Sequence, residues 1–95
     1  MADDVRGRAD AAAAIEAYIA RLERERRDPD HHECGWLIRA IVLFSEGKFM
    51  EATLDARRAE EPMALRTPED RVNFPERYQT LTTSELRSSW DERKG

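Results

Sequence analysis

Residues 30–62 read DHHECGWLIRAIVLFSEGKFMEATLDARRAEEP, and this stretch decides the fold. It opens with a helix-start signal: Asp30 can accept from the free N–H groups of the next turn, while Glu33, three residues on, reaches back in the acidic form of a capping box. A helix over 31–46 follows. Its apolar positions Cys34, Leu37, Ile38, Ile41, Val42 and Phe44 occupy more than half the circumference, so this helix must be central. At about 100° per residue, Arg39 falls beside His32, Gly35 and Glu46 on a narrow polar stripe. Trp36 and Leu43 flank that stripe and are the least easily buried. Gly47 supplies the left-handed conformation that ends such a helix, and Phe49-Met50-Glu51-Ala52 opens a helix over 48–61. There Ala52, Ala56 and Ala59 line one face and let the backbone approach helix two closely, with Asp55, Arg57 and Arg58 directed largely to water. The expected unit is a tight antiparallel hairpin.

Upstream, Asp28-Pro29-Asp30 breaks the pattern, because proline cannot continue the preceding hydrogen-bond ladder. Before the break, residues 9–27 are rich in strong helix formers, and Ile15, Tyr18, Ile19 and Leu22 share one helical face. Residues 1–8 are polar, contain Gly7 and lack apolar periodicity, which predicts a disordered arm. Downstream, Pro62, Pro68 and Pro75 punctuate a segment whose apolar residues keep no period, so 62–81 is expected to be a loop with a short helix starting at Thr67-Pro68-Glu69-Asp70. Thr82 and Glu85 form a second capping-box pair. A last helix over 83–93 then places Leu86 and Trp90 on one face.

Ninety-five residues suit one domain, which buries only about 60–65% of the surface its unfolded chain exposes. The fold class expected is all-α, a small helical bundle built on the hairpin. Hydrophobic residues make up 40% and charged residues 38%, which suits a folded centre with loose ends. A net charge of -4 argues against nucleic acid and anionic lipid as partners. Arg24, Arg26 and Arg27 cluster, but Glu23, Glu25 and Asp28 interleave with them in the manner of a solvated helix end. Cys34 is the sole cysteine, so no internal disulfide forms. The start Met1-Ala2-Asp3-Asp4 has no signal-peptide character, which makes the cytoplasm the expected compartment. The nearly apolar run Trp36 to Phe44 is too short to span a bilayer, so no membrane partner is expected. High arginine relative to lysine, with abundant alanine, suggests a GC-rich bacterial genome.

Taken together, Trp36, Ala40, Leu43, Gly47, Phe49, Ala52, Ala56, Ala59 and Pro62 resemble one tetratricopeptide repeat. In that family a helix pair of about 34 residues carries a bulky residue early in its first helix and a small one a turn later. A glycine marks the turn, followed by an aromatic residue, alanines in the second helix and a closing proline. This chain departs from the pattern at Arg39, where the family has an apolar residue, at Ala56, where it has a larger one, and at Pro62, which arrives about two residues early. The resemblance implies a hairpin whose small residues allow close crossing and whose function is protein binding. A lone repeat also needs caps, which helix one and the segment after 62 would supply.

For chemistry, His31-His32-Glu33-Cys34 gathers three zinc-ligand types within one turn. No second cluster exists to complete a tetrahedral site, and Asp30, Glu33 and Cys34 have sufficient roles as caps and core. No metal, cofactor, catalytic residue or small-molecule substrate is therefore assigned. The leading expectation is a non-enzymatic interaction module, an adaptor, regulator or accessory subunit, binding a protein partner or a second copy. The residues expected to carry it are Trp36, Arg39, Leu43, Phe74, Tyr78, Leu86 and Trp90. The competing account is that the segment after 62 folds back and buries these residues within one chain. The alternatives in function are a DNA-associated regulator reading DNA with helix three, opposed by its own acidic residues, and a metal or thiol site at His31 to Cys34.

Overall fold

The protein, analysed as a computed structural model, is described over residues 2–60 and 81–94, with side chains from Arg6 onward. It is an all-α bundle of four helices: α1 (Ala2–Glu25), α2 (His31–Ser45), α3 (Phe49–Glu60) and α4 (Thr83–Lys94). No strand occurs among the described residues. The segment expected to hold a loop and short helix, 62–81, lies outside the described residues except for Leu81.

Local chemistry sets each boundary. At the start of α2, the Glu33 N–H donates to Asp30 Oδ1 at 2.8 Å and the Asp30 N–H donates to Glu33 Oε1 at 3.1 Å, a complete capping box. Thr82 and Glu85 repeat the arrangement at the start of α4, over 3.2 and 3.0 Å. At the end of α2, Gly47 has φ +82°. Its N–H donates to Phe44 C=O at 3.1 Å, and the Lys48 N–H to Leu43 C=O at 2.9 Å, the paired bonds of a Schellman turn. The end of α1 copies this geometry without glycine. Arg26 takes φ +53°, its N–H donating to Glu23 C=O and the Arg27 N–H to Leu22 C=O.

Packing follows the apolar stripes. Ile15, Tyr18, Ile19 and Leu22 of α1 are all buried, as their spacing requires. The alanine stripe of α3, Ala52, Ala56 and Ala59, is also buried and seats α3 against both α2 and α1. Helix α4 lies against α1 and α2 through Leu86 and Trp90, which have no exposed surface. The Trp90 ring meets Phe44 edge to face with centroids 4.9 Å apart.

Two expectations need correction. Helix α1, expected to begin at Ala9 after a disordered arm, already begins at Ala2. At Gly7 and Arg8 the packing uses no apolar side chain of α1, so the sequence pattern could not reveal it. A Cβ placed on Gly7 would stand only 3.5 Å from Phe49 Cβ, and the Arg8 guanidinium covers the Phe44 ring at 5.1 Å while donating to the Lys94 C=O at 3.0 Å. Asp55, expected to face water, is 2% exposed.

Ion pairs then tie the helices together. Arg87 of α4 reaches α1 with two bonds to Glu16, of 2.8 and 2.6 Å, and two to Glu23, of 2.7 and 3.2 Å. Its guanidinium, bonded to Glu16, holds that carboxyl down to about 2. The first turn of α4 grips the α1–α2 linker. There the Thr83 N–H donates to Asp28 Oδ1 at 3.0 Å and its hydroxyl to the Arg27 C=O at 2.6 Å.

Candidate functional site on the outward face of α3

The residues singled out from sequence as partner anchors lie mostly inside the molecule. Trp36 is 2% exposed and Leu43 9%, while Leu86 and Trp90 have no exposed surface. The expectation that these four offer an accessible binding surface is thereby corrected. The reason lies in what surrounds α2, since α1, α3 and α4 all pack on it. Charged stems complete the enclosure of Trp36, with the guanidinium groups of Arg39 and Arg58 at 5.8 and 5.2 Å from its ring and His32 at its edge. Arg39 stays half exposed, its Nε 3.1 Å from Asp55 Oδ2. Phe74 and Tyr78 lie outside the described residues.

The buried polar groups are structural in their geometry. Glu33 accepts both Arg27 guanidinium N–H bonds, at 2.8 and 3.0 Å, together with the Tyr18 hydroxyl and the Asp30 N–H. The Tyr18 hydroxyl also lies 3.1 Å from the Ala59 C=O, so one cluster joins α1, α2 and α3. Burial alone would raise the Glu33 pKa, but these donors outweigh it and hold the carboxyl at about 2. Asp55 shows the opposite balance. Burial pushes its pKa above the ordinary carboxylate value despite Arg39 and Arg58, each of which reaches it from a half-exposed position.

Cys34 is fully buried with its thiol pKa raised by burial, which makes it a poor nucleophile. His31, by contrast, is exposed, so the two residues of the suspected ligand cluster occupy different environments. Among the described residues, no group of three His, Cys, Asp or Glu side chains is placed to hold a metal ion. No described helix is long and apolar enough to cross a membrane.

What remains open is the outer side of α3. Met50 is 79% exposed and Leu54 45%, and they sit one turn apart on the same face. Beside them runs a groove of about 620 Å³ between α1, at Gly7 and Asp10, and α3, at Phe49, Thr53 and Arg57. Charges of both signs edge it, Asp10 and Glu51 against Lys48 and Arg57. Arg58, the other base of α3 that a DNA-binding account would use, turns instead to Asp55 and Trp36.

Sequence reasoning passed over Met50 and Leu54, although a signal existed. On a helical wheel they lie directly across from Ala52, Ala56 and Ala59. Once the alanines are assigned to the core, the two large apolar residues must face outward. Comparison with protein-family models, curated proteins and solved structures finds no match for this chain.

Proposed function

We propose that this chain is a non-enzymatic protein-protein interaction module, a small adaptor, regulator or accessory subunit of the bacterial cytoplasm, which docks through the outward face of α3. In this reading the α2–α3 hairpin acts as a single tetratricopeptide-like unit. Its alanine stripe faces the core and its outer helix face meets the partner. The observation that carries the reading is the exposure of Met50 and Leu54, at 79% and 45%, beside an open groove. Exposed apolar side chains at the centre of a surface, with charges around them, have the composition of an interface core and its polar rim.

A photoreactive amino acid at Leu54, introduced in the cells that make the protein, tests this directly. Covalent adducts to protein are expected there, above the level seen at the exposed Ser88 and lowered by Met50→Glu. Equal labelling at the two positions would reject the reading.

A further inference from the structure

The charge order along α3 identifies the partner that its outer face fits. The helix carries an acid in its first turn, Glu51, and bases in its last, Arg57 and Arg58. Glu51 and Arg57 each lie three residues from Leu54, on opposite sides of it. Two copies of α3 set antiparallel about a two-fold axis at Leu54 therefore place Glu51 of each against Arg57 of the other. Leu54 meets its own symmetry mate at the centre, and the Met50 side chains extend the apolar strip toward both ends.

We infer that the partner of the α3 face is a second copy of this chain, joined as an antiparallel two-fold dimer with reciprocal Glu51–Arg57 pairs. The inference rests on the interaction reading above and adds the occupant. Charge complementarity is what selects it. An unrelated partner would place no requirement on the symmetry of α3, whereas self-pairing in the parallel sense would oppose Glu51 to Glu51 and Arg57 to Arg57. The groove between α1 and α3 leaves room on each copy for side chains of the other.

Both charged residues are exposed, so their reversal leaves the core untouched. Sedimentation of the full chain over a range of concentrations gives the dimer affinity, with helix content checked by circular dichroism. The wild type is expected to dimerise, and Glu51→Arg and Arg57→Glu are each expected to weaken the dimer by about tenfold or more, since each turns two attractions into two repulsions. Mixing the two variants in equal amounts is expected to restore association as a heterodimer containing one copy of each. Misfolded variants could not complement one another in this way.

Three results would overturn the inference: a wild type that stays monomeric up to about 1 mM, a dimer that survives both reversals, or single variants that fail to recombine. The outcome is separable from that of the interaction reading. Adducts at Leu54 to a different protein, with a monomeric wild type, would keep the docking face and reject the second copy.

Discussion

The flank covered by α4 and the flank formed by the outer face of α3 are built on opposite rules. On the first, Trp90 and Leu86 are fully enclosed, Arg87 is bonded to two glutamates of α1, and Thr83 is tied to the α1–α2 linker. On the second, Met50 and Leu54 stand exposed beside Glu51 and Arg57, which are exposed as well. A chain of 95 residues has little apolar surface to spare, so leaving Met50 and Leu54 uncovered is informative. If the α3 face docks a partner as proposed, stability and binding fall to different helices, and substitutions should separate them.

The largest effect is expected on the covered flank. Trp90→Ala should lower unfolding stability by about 3–5 kcal/mol in urea titration, a large share of the total for a domain of this size. A loss similar to that of a surface substitution would break the comparison.

The Glu33 cluster is next, with an expected contribution of about 2–3 kcal/mol. Its folded pKa, about 2, lies below the ordinary value of 4.5. The stabilisation is thus fully present above pH 4.5 and is lost as the pH falls toward 2. Glu33→Gln should remove that part of the pH dependence, and a titration unchanged by the substitution would show the cluster to be energetically idle.

The glycines give a smaller, two-signed test. Gly47→Ala forces a side chain into positive φ and should destabilise by about 1 kcal/mol. Gly7→Ala should stabilise by about 0.5–1 kcal/mol, because its Cβ finds ordinary contact distance to Phe49 within a helix.

Smallest of all is Met50→Gln, expected to change stability by less than about 0.5 kcal/mol while weakening association. A marked loss of stability there would mean that the outer face belongs to the fold after all.

Much of the architecture was legible because it depends on local chemistry. The Asp30–Glu33 and Thr82–Glu85 pairs declared two helix starts, Gly47 declared the turn, and the spacing of Ile15, Tyr18, Ile19 and Leu22 declared a buried face. The site was less legible, since exposure depends on what covers a residue. Trp36 looked accessible on a wheel of α2 alone, but Arg39 and Arg58 from two different helices close over it. Asp55 read as a surface acid because of its charge, although it lies beside the buried Ala52 and Ala59 on the helix; the Arg39 that pairs with it comes from α2, which no pattern within α3 encodes. The end of α1 was placed by Pro29, yet the left-handed Arg26 that makes the turn was invisible, since arginine carries no signal for positive φ.

Cys34 has a consequence of a practical kind. It is the chain's single thiol, fully enclosed, with its sulfur 3.8 Å from the Leu81 C=O just before α4. Its alkylation rate is therefore an internal clock for the departure of that helix. Under conditions where closing outpaces labelling, the rate reads the free energy of opening at this seam without any added probe. Compared with the global unfolding value, it tells whether α4 lifts away alone or leaves only when the whole bundle melts.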